Sequence, residues 1–438
     1  MNNKNVVMLS LILAIFLSSC IFQEREVPES KITESEEFIK GLEVGFNGTL
    51  ALINGILIDG TGADPVFDGA IVIQNGRIAA VGACSEVNIP DDAKIIDVKG
   101  AAVLPGFINA HVHNGYSTYN LEVWAHEGVT TVRDLGANPQ EPLFLLRDSV
   151  LEENTYARLV AAGPLVTVPH GYPIVPFGSK SGLTVTSPED ARLKVEELLD
   201  DGADVIKVAV ERGRIFGREI PTLSPEELAA LVEATHQRGT VVSAHVTSSE
   251  DLRRALDGGV DDIAHMVVDY VADDLIERMV TTNCYWVPTL ELWKGVDSSF
   301  GTTAVENLRR FVNAGGNVAL GTDYGGYTIR FDLGMPIREI EWMLEAGMTP
   351  MQVLVAGTRN AAHVCNLESV LGTLEVGKIA DVLVVDGNPL ENIHVLTMRL
   401  IVIHNGEVIY CNNTGKETTI AMTTSTCFHC YSADSCLH

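Results

Sequence analysis

The sequence predicts an α/β chain: a (β/α)8 TIM barrel with a small β-sandwich domain formed from both chain ends. Three observations carry this. Between about residues 102 and 370, short apolar runs alternate with segments of helical period. Strand–turn–strand texture without that period flanks the stretch on both sides. The chain has 438 residues, 46% of them hydrophobic, enough for one large core and a smaller one. The expected layout is a signal peptide over 1–20, a tether over 21–47, sandwich over 48–103, barrel over 104–370, sandwich again over 371–412, and a tail over 413–438.

The first element is a targeting segment. Lys4 precedes an apolar run from Val6 to Leu17 that only Ser10 interrupts. Leu17-Ser18-Ser19-Cys20 resembles a lipoprotein lipobox, so cleavage before Cys20 would leave its thiol to carry lipid. The run is short for a bilayer span. The expectation is an exported lipoprotein on the extracytoplasmic face, touching the membrane through its lipid alone, with an uncleaved anchor as the alternative. Gln23 to Lys40 is polar and acidic, as a flexible tether would be.

The N-terminal β block follows. Leu50 to Ile58 leads into the turn residues Asp59-Gly60-Thr61-Gly62. Ala70 to Ile73 and Ile78 to Val81 flank Asn75-Gly76, a hairpin signal, and Lys94 to Val98 is a further strand. Near the other end, Val382 to Val385 is followed by a second hairpin, Ile401 to Ile403 and Val408 to Tyr410 around Asn405-Gly406.

Eight barrel strands are expected: Ala102–Asn109, Thr130–Asp134, Arg158–Ala162, Val205–Val210, Val241–His245, Asp262–His265, Tyr285–Thr289 and Val318–Thr322. Helices are expected from Ser187-Pro188-Glu189 to Leu199 and from Ser224-Pro225-Glu226 to Gln237. Both open with an N-cap serine and proline at the first helical position. Ser248–Leu256, Ala272–Met279 and Val305–Ala314 complete the set.

A formal charge of −28, from 30 Lys+Arg and 58 Asp+Glu, argues against nucleic acid and anionic headgroups as partners. Cys84, Cys284, Cys365 and Cys411 are scattered singly, unlike a disulfide framework. Cys427, Cys430 and Cys436 cluster with His429 and His438 in a Ser/Thr-rich tail, where one CxxC is weak evidence for zinc or a disulfide.

Barrel enzymes place chemistry at the C-terminal ends of their strands. The first strand runs into His111-Val112-His113, and residues i and i+2 of an extended segment face one side. His245, His265 and Asp323 end the fifth, sixth and eighth strands, and Lys207 sits inside the fourth. A lone strand histidine is more often a hydrogen-bonded core residue than a ligand. Four histidines and an aspartate at the correct ends of four strands would be an odd accident. Burial lowers a lysine pKa and frees the neutral amine. Such an amine can capture carbon dioxide as a carbamate, whose two oxygens can bridge two metals.

Several segments carry a family resemblance. Leu104-Pro105-Gly106-Phe107-Ile108-Asn109-Ala110-His111-Val112-His113, Gly128-Val129-Thr130-Thr131-Val132-Arg133-Asp134, Leu320-Gly321-Thr322-Asp323 and Gly377-Lys378-Ile379-Ala380-Asp381 resemble motifs of the amidohydrolase superfamily. The resemblance spans about Leu50 to Tyr410 and is nearest to the imidazolonepropionase-like and prolidase-like branches, which include metal-dependent dipeptidases; Asp386-Gly387-Asn388-Pro389-Leu390 supports these branches. It implies two divalent metals, zinc first, with manganese, iron or cobalt as alternatives. His111, His113 and Asp323 would hold the inner metal and His245 and His265 the outer one. Carbamylated Lys207 and a hydroxide would bridge them, with Asp323 shuttling the proton to the leaving amine.

The expected activity is amide hydrolysis on a small molecule, a dipeptide or N-acyl amino acid. A cyclic-amide hydrolase or deaminase is the alternative, and a non-catalytic binding module the third reading. Lys207 argues against the deaminases, which typically use one metal without that lysine. His170, Tyr116, Arg212 and Arg214 are candidates for substrate contact. Ala264 and Met266 depart from the acidic residue and glycine usual in these branches, and are expected near the mouth. His126, His236, His363, His394 and His404 receive no chemistry.

Overall fold

The computed structural model describes residues 45–138, 143–178 and 180–412. The lipobox with Cys20 and the tail with Cys427, Cys430 and Cys436 lie outside them. Among the described residues no helix is long and apolar enough to cross a membrane.

The N-terminal block forms β1 (Leu50–Leu57), β2 (Val66–Gln74), β3 (Arg77–Ala83), β4 (Lys94–Asp97) and β5 (Ala102–Pro105). The barrel strands are β6 (Phe107–Val112), β7 (Val129–Asp134), β8 (Arg158–Ala161), β9 (Val166–Thr167), β10 (Leu183–Thr184), β11 (Ile206–Ala209), β12 (Val242–His245), β13 (Asp262–Ala264) and β14 (Tyr285–Val287). β15 (Val382–Val385), β16 (Arg399–His404) and β17 (Glu407–Cys411) follow.

Both chain ends meet in one eight-stranded sheet, ordered β17-β16-β15-β5-β1-β2-β3, with β4 also on β1. β1 serves two parallel partners on one edge, β4 along Leu50–Ile53 and β5 along Ile56–Leu57. The register breaks between Leu52 and Gly55, where Asn54 takes φ 59°. Such an irregularity bends a strand, and here it lets one strand change partners. The sandwich expected from the flanks is therefore one continuous sheet folded over a single core of Leu50, Leu52, Ile71, Ile73, Val382, Val384, Ile401 and Ile403.

Leu383, Val385 and Val402 point the other way, into the barrel core. Burial on both faces explains why β15 reads as an unbroken apolar run rather than an alternating one. The two Asn-Gly turns, at positive φ throughout, meet each other. Ala380 N donates to Gly76 O and Gly406 N to Ala380 O, both at 2.9 Å, and a Cβ on Gly406 would collide with Gly76.

The strand expected over Ala102–Asn109 is two strands. β5 belongs to the end sheet and β6 to the barrel, and they part at Gly106. A side chain there would strike Thr130, and its N–H donates to Asp381 O at 2.9 Å. Continuous hydrophobicity hid the break, because both halves are buried.

β6, β7 and β8 are parallel neighbours, as are β9, β11, β12, β13 and β14. β8 and β9 together form the third barrel strand, and Asp204 N joins it to the fourth by donating to Ala161 O at 2.9 Å. The eighth strand is less regular than expected. It makes isolated bridges, Val318 to Trp286 and Tyr324 to Val112. Ala319 N donates to Trp286 O (3.0 Å) and Ala110 N to Leu320 O (2.8 Å), which closes the ring.

Helices Pro188–Asp200 and Pro225–Gln237 begin on Ser187 and Ser224, the second with a full capping box through Glu227. The helix expected from Val305 starts at Ser298, capped by Asp297; its polar first turns read as loop. Inside the ring, Arg133 of β7 meets Asp262 of β13 in a fully buried bidentate pair (2.8 and 3.0 Å), and also donates to Ala110 O and Val364 O. Every guanidinium nitrogen thus has a partner, as a buried cation requires.

Candidate metal centre

The end of the eighth strand is zipped onto the end of the first. Asp323 N donates to His111 O at 2.9 Å, His113 N to Tyr324 O at 2.6 Å, and Asn109 Nδ2 to Thr322 Oγ1 at 2.9 Å. This sets Asp323 Oδ1 3.2 Å from His111 Nε2 and 3.1 Å from His113 Nε2. The alternation expected of His111 and His113 thus brings both imidazoles to one carboxylate. One ligand atom from each of the three residues lies within 4.8 Å of the others.

His265 and His245 continue the cluster. The His265 ring lies 4.7 Å, centroid to centroid, from both His111 and His245. His113 Nδ1 donates to Gly136 O at 3.2 Å and His265 Nδ1 meets Thr289 Oγ1 at 3.0 Å. A carbonyl only accepts, so the first contact fixes the His113 tautomer that leaves Nε2 for a cation, while the Thr289 hydroxyl orients the His265 ring. His265 and Asp323 take φ 74° and 63°, left-handed values uncommon outside glycine and often found at functional sites.

Lys207 projects from β11, paired in register with Ser243 of β12, and is 1% exposed. Among the described residues its Nζ has no hydrogen-bond partner, and neither has His245 Nε2. Burial pulls the ammonium down to about 7; Asp262 and Asp323 oppose that shift and Arg133 adds to it. Burial also holds His111, His245 and His265 well below the usual imidazole range, with Lys207 contributing at all three. Neutral imidazole is the ligating form. At His113 burial works in the same direction, but Asp323 outweighs it and raises the pKa. Three histidines held neutral, His113 on its carboxylate and an unpartnered buried amine form a donor set that fits divalent cations. An empty apolar core would not tolerate so many unsatisfied polar atoms.

The cluster floors a cavity of about 350 Å3 at the C-terminal ends of the strands, walled by Leu165, Tyr172, Pro173 and Phe177. Of the candidates for substrate contact, Tyr116 lines it and is half-buried. The structure does not bring the other candidates there. His170 is exposed and outside the wall. Arg212 is bound to Glu250 and Asp251, and Arg214 to Asp269 at 2.7 Å. Acidic partners in the first turn of the Ser249–Gly258 helix and on the segment after β13 occupy both guanidinium groups. Ala264 and Met266 flank His265 and are fully buried, and neither lines the cavity.

Sequence reading passed over two residues beside His245. Tyr172 stacks on its ring at 4.0 Å and 13°. Glu211, fully buried, accepts from Thr247 Oγ1 and from Gly213 N and lies 3.9 Å from His245 Nε2. An acidic residue directly after the apolar strand Val205–Val210 was the available signal for Glu211. The five histidines assigned no chemistry line no part of the cavity.

Gly326 leaves room for the Asp323 carboxylate: a Cβ there would lie 2.5 Å from both carboxylate oxygens. Gly326→Ala should therefore displace Asp323 and lower kcat/KM by about 10²-fold, with little change in Tm. Steady-state kinetics and a thermal melt of the variant check this.

A barrel with histidines and an aspartate converging at its strand ends has the form of a metal-dependent hydrolase. The family model described as "Amidohydrolase family" matches residues 102–409. The chain belongs to the amidohydrolase family and is a hydrolase acting on carbon–nitrogen bonds. It is 27% identical to an ochratoxinase of Aspergillus niger over 414 residues, covering 80% of this chain and 84% of that one. It is 26% identical to an imidazolonepropionase of Symbiobacterium thermophilum over 365 residues, covering 72% and 83%. A crystal structure of a Xaa-Pro dipeptidase with methionine bound in its active site matches with a TM-score of 0.72 and 26% identity, covering 83% of this chain and all of that one.

Proposed function

We propose that the chain hydrolyses the amide bond of dipeptides or N-acyl amino acids at a site for two divalent cations, zinc first. His111, His113 and Asp323 would hold one cation, His245 and His265 the other, and a carbamate on Lys207 would join them. The observation that carries this is the buried Lys207 amine, without a hydrogen-bond partner among the described residues and close enough to His111, His245 and His265 to help hold all three neutral. When bound, the cations would supply a water acidified towards neutral pH and a polarised scissile carbonyl.

The chain's own groups do the rest. Asp323, in reach of both first-strand imidazoles, accepts the proton of the attacking water and returns it to the leaving amine. Gly136 O holds the His113 imidazole in the tautomer that presents Nε2, and Thr289 Oγ1 orients the His265 ring. Tyr172 covers the His245 face and keeps water from it.

The likeness to a Xaa-Pro dipeptidase favours the peptide reading. The likeness to imidazolonepropionase supports a second reading, a cyclic amide on the same floor. The expected lipobox at Cys20 extends the proposal to an exported protein anchored by lipid.

The test is a library of dipeptides, N-acyl amino acids and cyclic amides, offered to zinc-replete protein with release of amine or acid as readout. Turnover of linear members above the cyclic ones is expected. Turnover confined to cyclic amides would replace the first reading by the second, and turnover of none would overturn both.

A further inference from the structure

The cavity wall has a charge pattern opposite to that of the chain. The sequence carries 58 Asp+Glu against 30 Lys+Arg. Yet among the described residues no aspartate or glutamate lines the cavity above the floor of histidines, Asp323 and Lys207, while one lysine does. That lysine is Lys180, exposed at the rim, and it makes no ion pair among the described residues.

That freedom separates Lys180 from the arginines that follow β11. Arg212 and Arg214 are held by Glu250, Asp251 and Asp269, so neither is available to a ligand without breaking an ion pair. The same cavity is lined by the apolar groups of Leu165, Tyr172 and Phe177, the last 58% exposed. Tyr172 and Phe177 pack edge to face with centroids 6.2 Å apart, which makes a continuous aromatic surface between rim and floor.

A free carboxylate brought to a chain of net charge −28 is repelled unless a local cation offsets the field, and screening limits that offset to about 8 Å in physiological salt. A wall without carboxylates and with one uncommitted ammonium supplies it. We infer that Lys180 binds the substrate's free carboxylate, and that the substrates are N-acyl amino acids and dipeptides whose side chain is apolar enough to lie on Tyr172 and Phe177. The inference rests on the amide-hydrolase reading above and adds to it the substrate's charge, its side-chain class and the residue that reads the charge.

The test compares N-acetyl-L-phenylalanine with N-acetyl-phenethylamine, which differ only in the carboxylate, on zinc-replete full-length protein and its Lys180→Met and Lys180→Arg variants. The wild type is expected to favour the acid by at least roughly tenfold in kcat/KM, the scale of a hydrogen-bonded charge. In Lys180→Met that ratio should fall roughly tenfold, through KM rather than kcat, and Lys180→Arg should recover most of it. Lys180 is exposed, so both variants should melt with the wild type. Hydrolysis of both compounds without discrimination, or a ratio unmoved in Lys180→Met, would overturn the role of Lys180 alone. Hydrolysis of neither would remove the amide-hydrolase reading and this inference with it.

Discussion

Asp323→Asn is expected to reduce kcat by about 10³-fold or more while the protein stays folded. The two side chains match in size, but an amide cannot take a proton at neutral pH. It would also turn either an N–H donor or a weaker acceptor towards the two imidazole Nε2 atoms that now contact Oδ1. The backbone should not object. Asp323 sits at φ 63°, and asparagine is one of the few residues that visit the left-handed region readily. The bonds from its N–H and from Ala110 to the neighbouring strand involve main chain alone. A thermal melt close to wild type together with lost turnover is the expected pair of results. A variant that keeps the wild-type rate would remove Asp323 from proton transfer.

Lys207→Ala is expected to lose most bound metal and, with it, activity. The amine lies among imidazoles and, among the described residues, has no hydrogen-bond partner, an arrangement costly for a bare lysine. Carbamylation removes that cost. The neutral amine adds to carbon dioxide and releases a proton, and the anion formed can face two cations. Burial brings the ammonium down to about 7, so the neutral form is abundant at neutral pH and scarce well below it. Reconstitution of metal-free protein with zinc and bicarbonate should accordingly be faster at pH 8 than at pH 6. In Lys207→Ala, acetate or propionate should restore part of the metal content and turnover by placing a free carboxylate in the vacated space. Full metal occupancy in the variant without added acid would show that no bridge from Lys207 is needed.

The floor of the site was legible because short-range rules govern it. The two-residue period of an extended segment pairs His111 with His113. The strand-end rule places His245, His265 and Asp323 without any knowledge of loops. Helix starts at Ser187 and Ser224 and hairpins at Asn75-Gly76 and Asn405-Gly406 are equally local, set by capping and by left-handed turn geometry.

What escaped depends on contacts distant in sequence. The break at Gly106 answers to Thr130 and Asp381, and the late start given to the Ser298–Asn313 helix ignored a cap made by Asp297. Arg212 looked available until the fold set Glu250 and Asp251 beside it. Tyr172 and Lys180 lie on the connection between β9 and β10, where chain path is decided by packing rather than period. Nothing in their local sequence shows that one reaches the His245 ring and the other the cavity rim.

The most direct measurement is anomalous diffraction at the zinc edge from crystals of this protein grown with zinc and bicarbonate. Two peaks should appear over the cluster, one against His111, His113 and Asp323 and one against His245 and His265, with electron density extending beyond Lys207 Nζ to a carboxylate between them. A bare Lys207 side chain with a single peak, or with none, would contradict a paired-cation centre built on that amine.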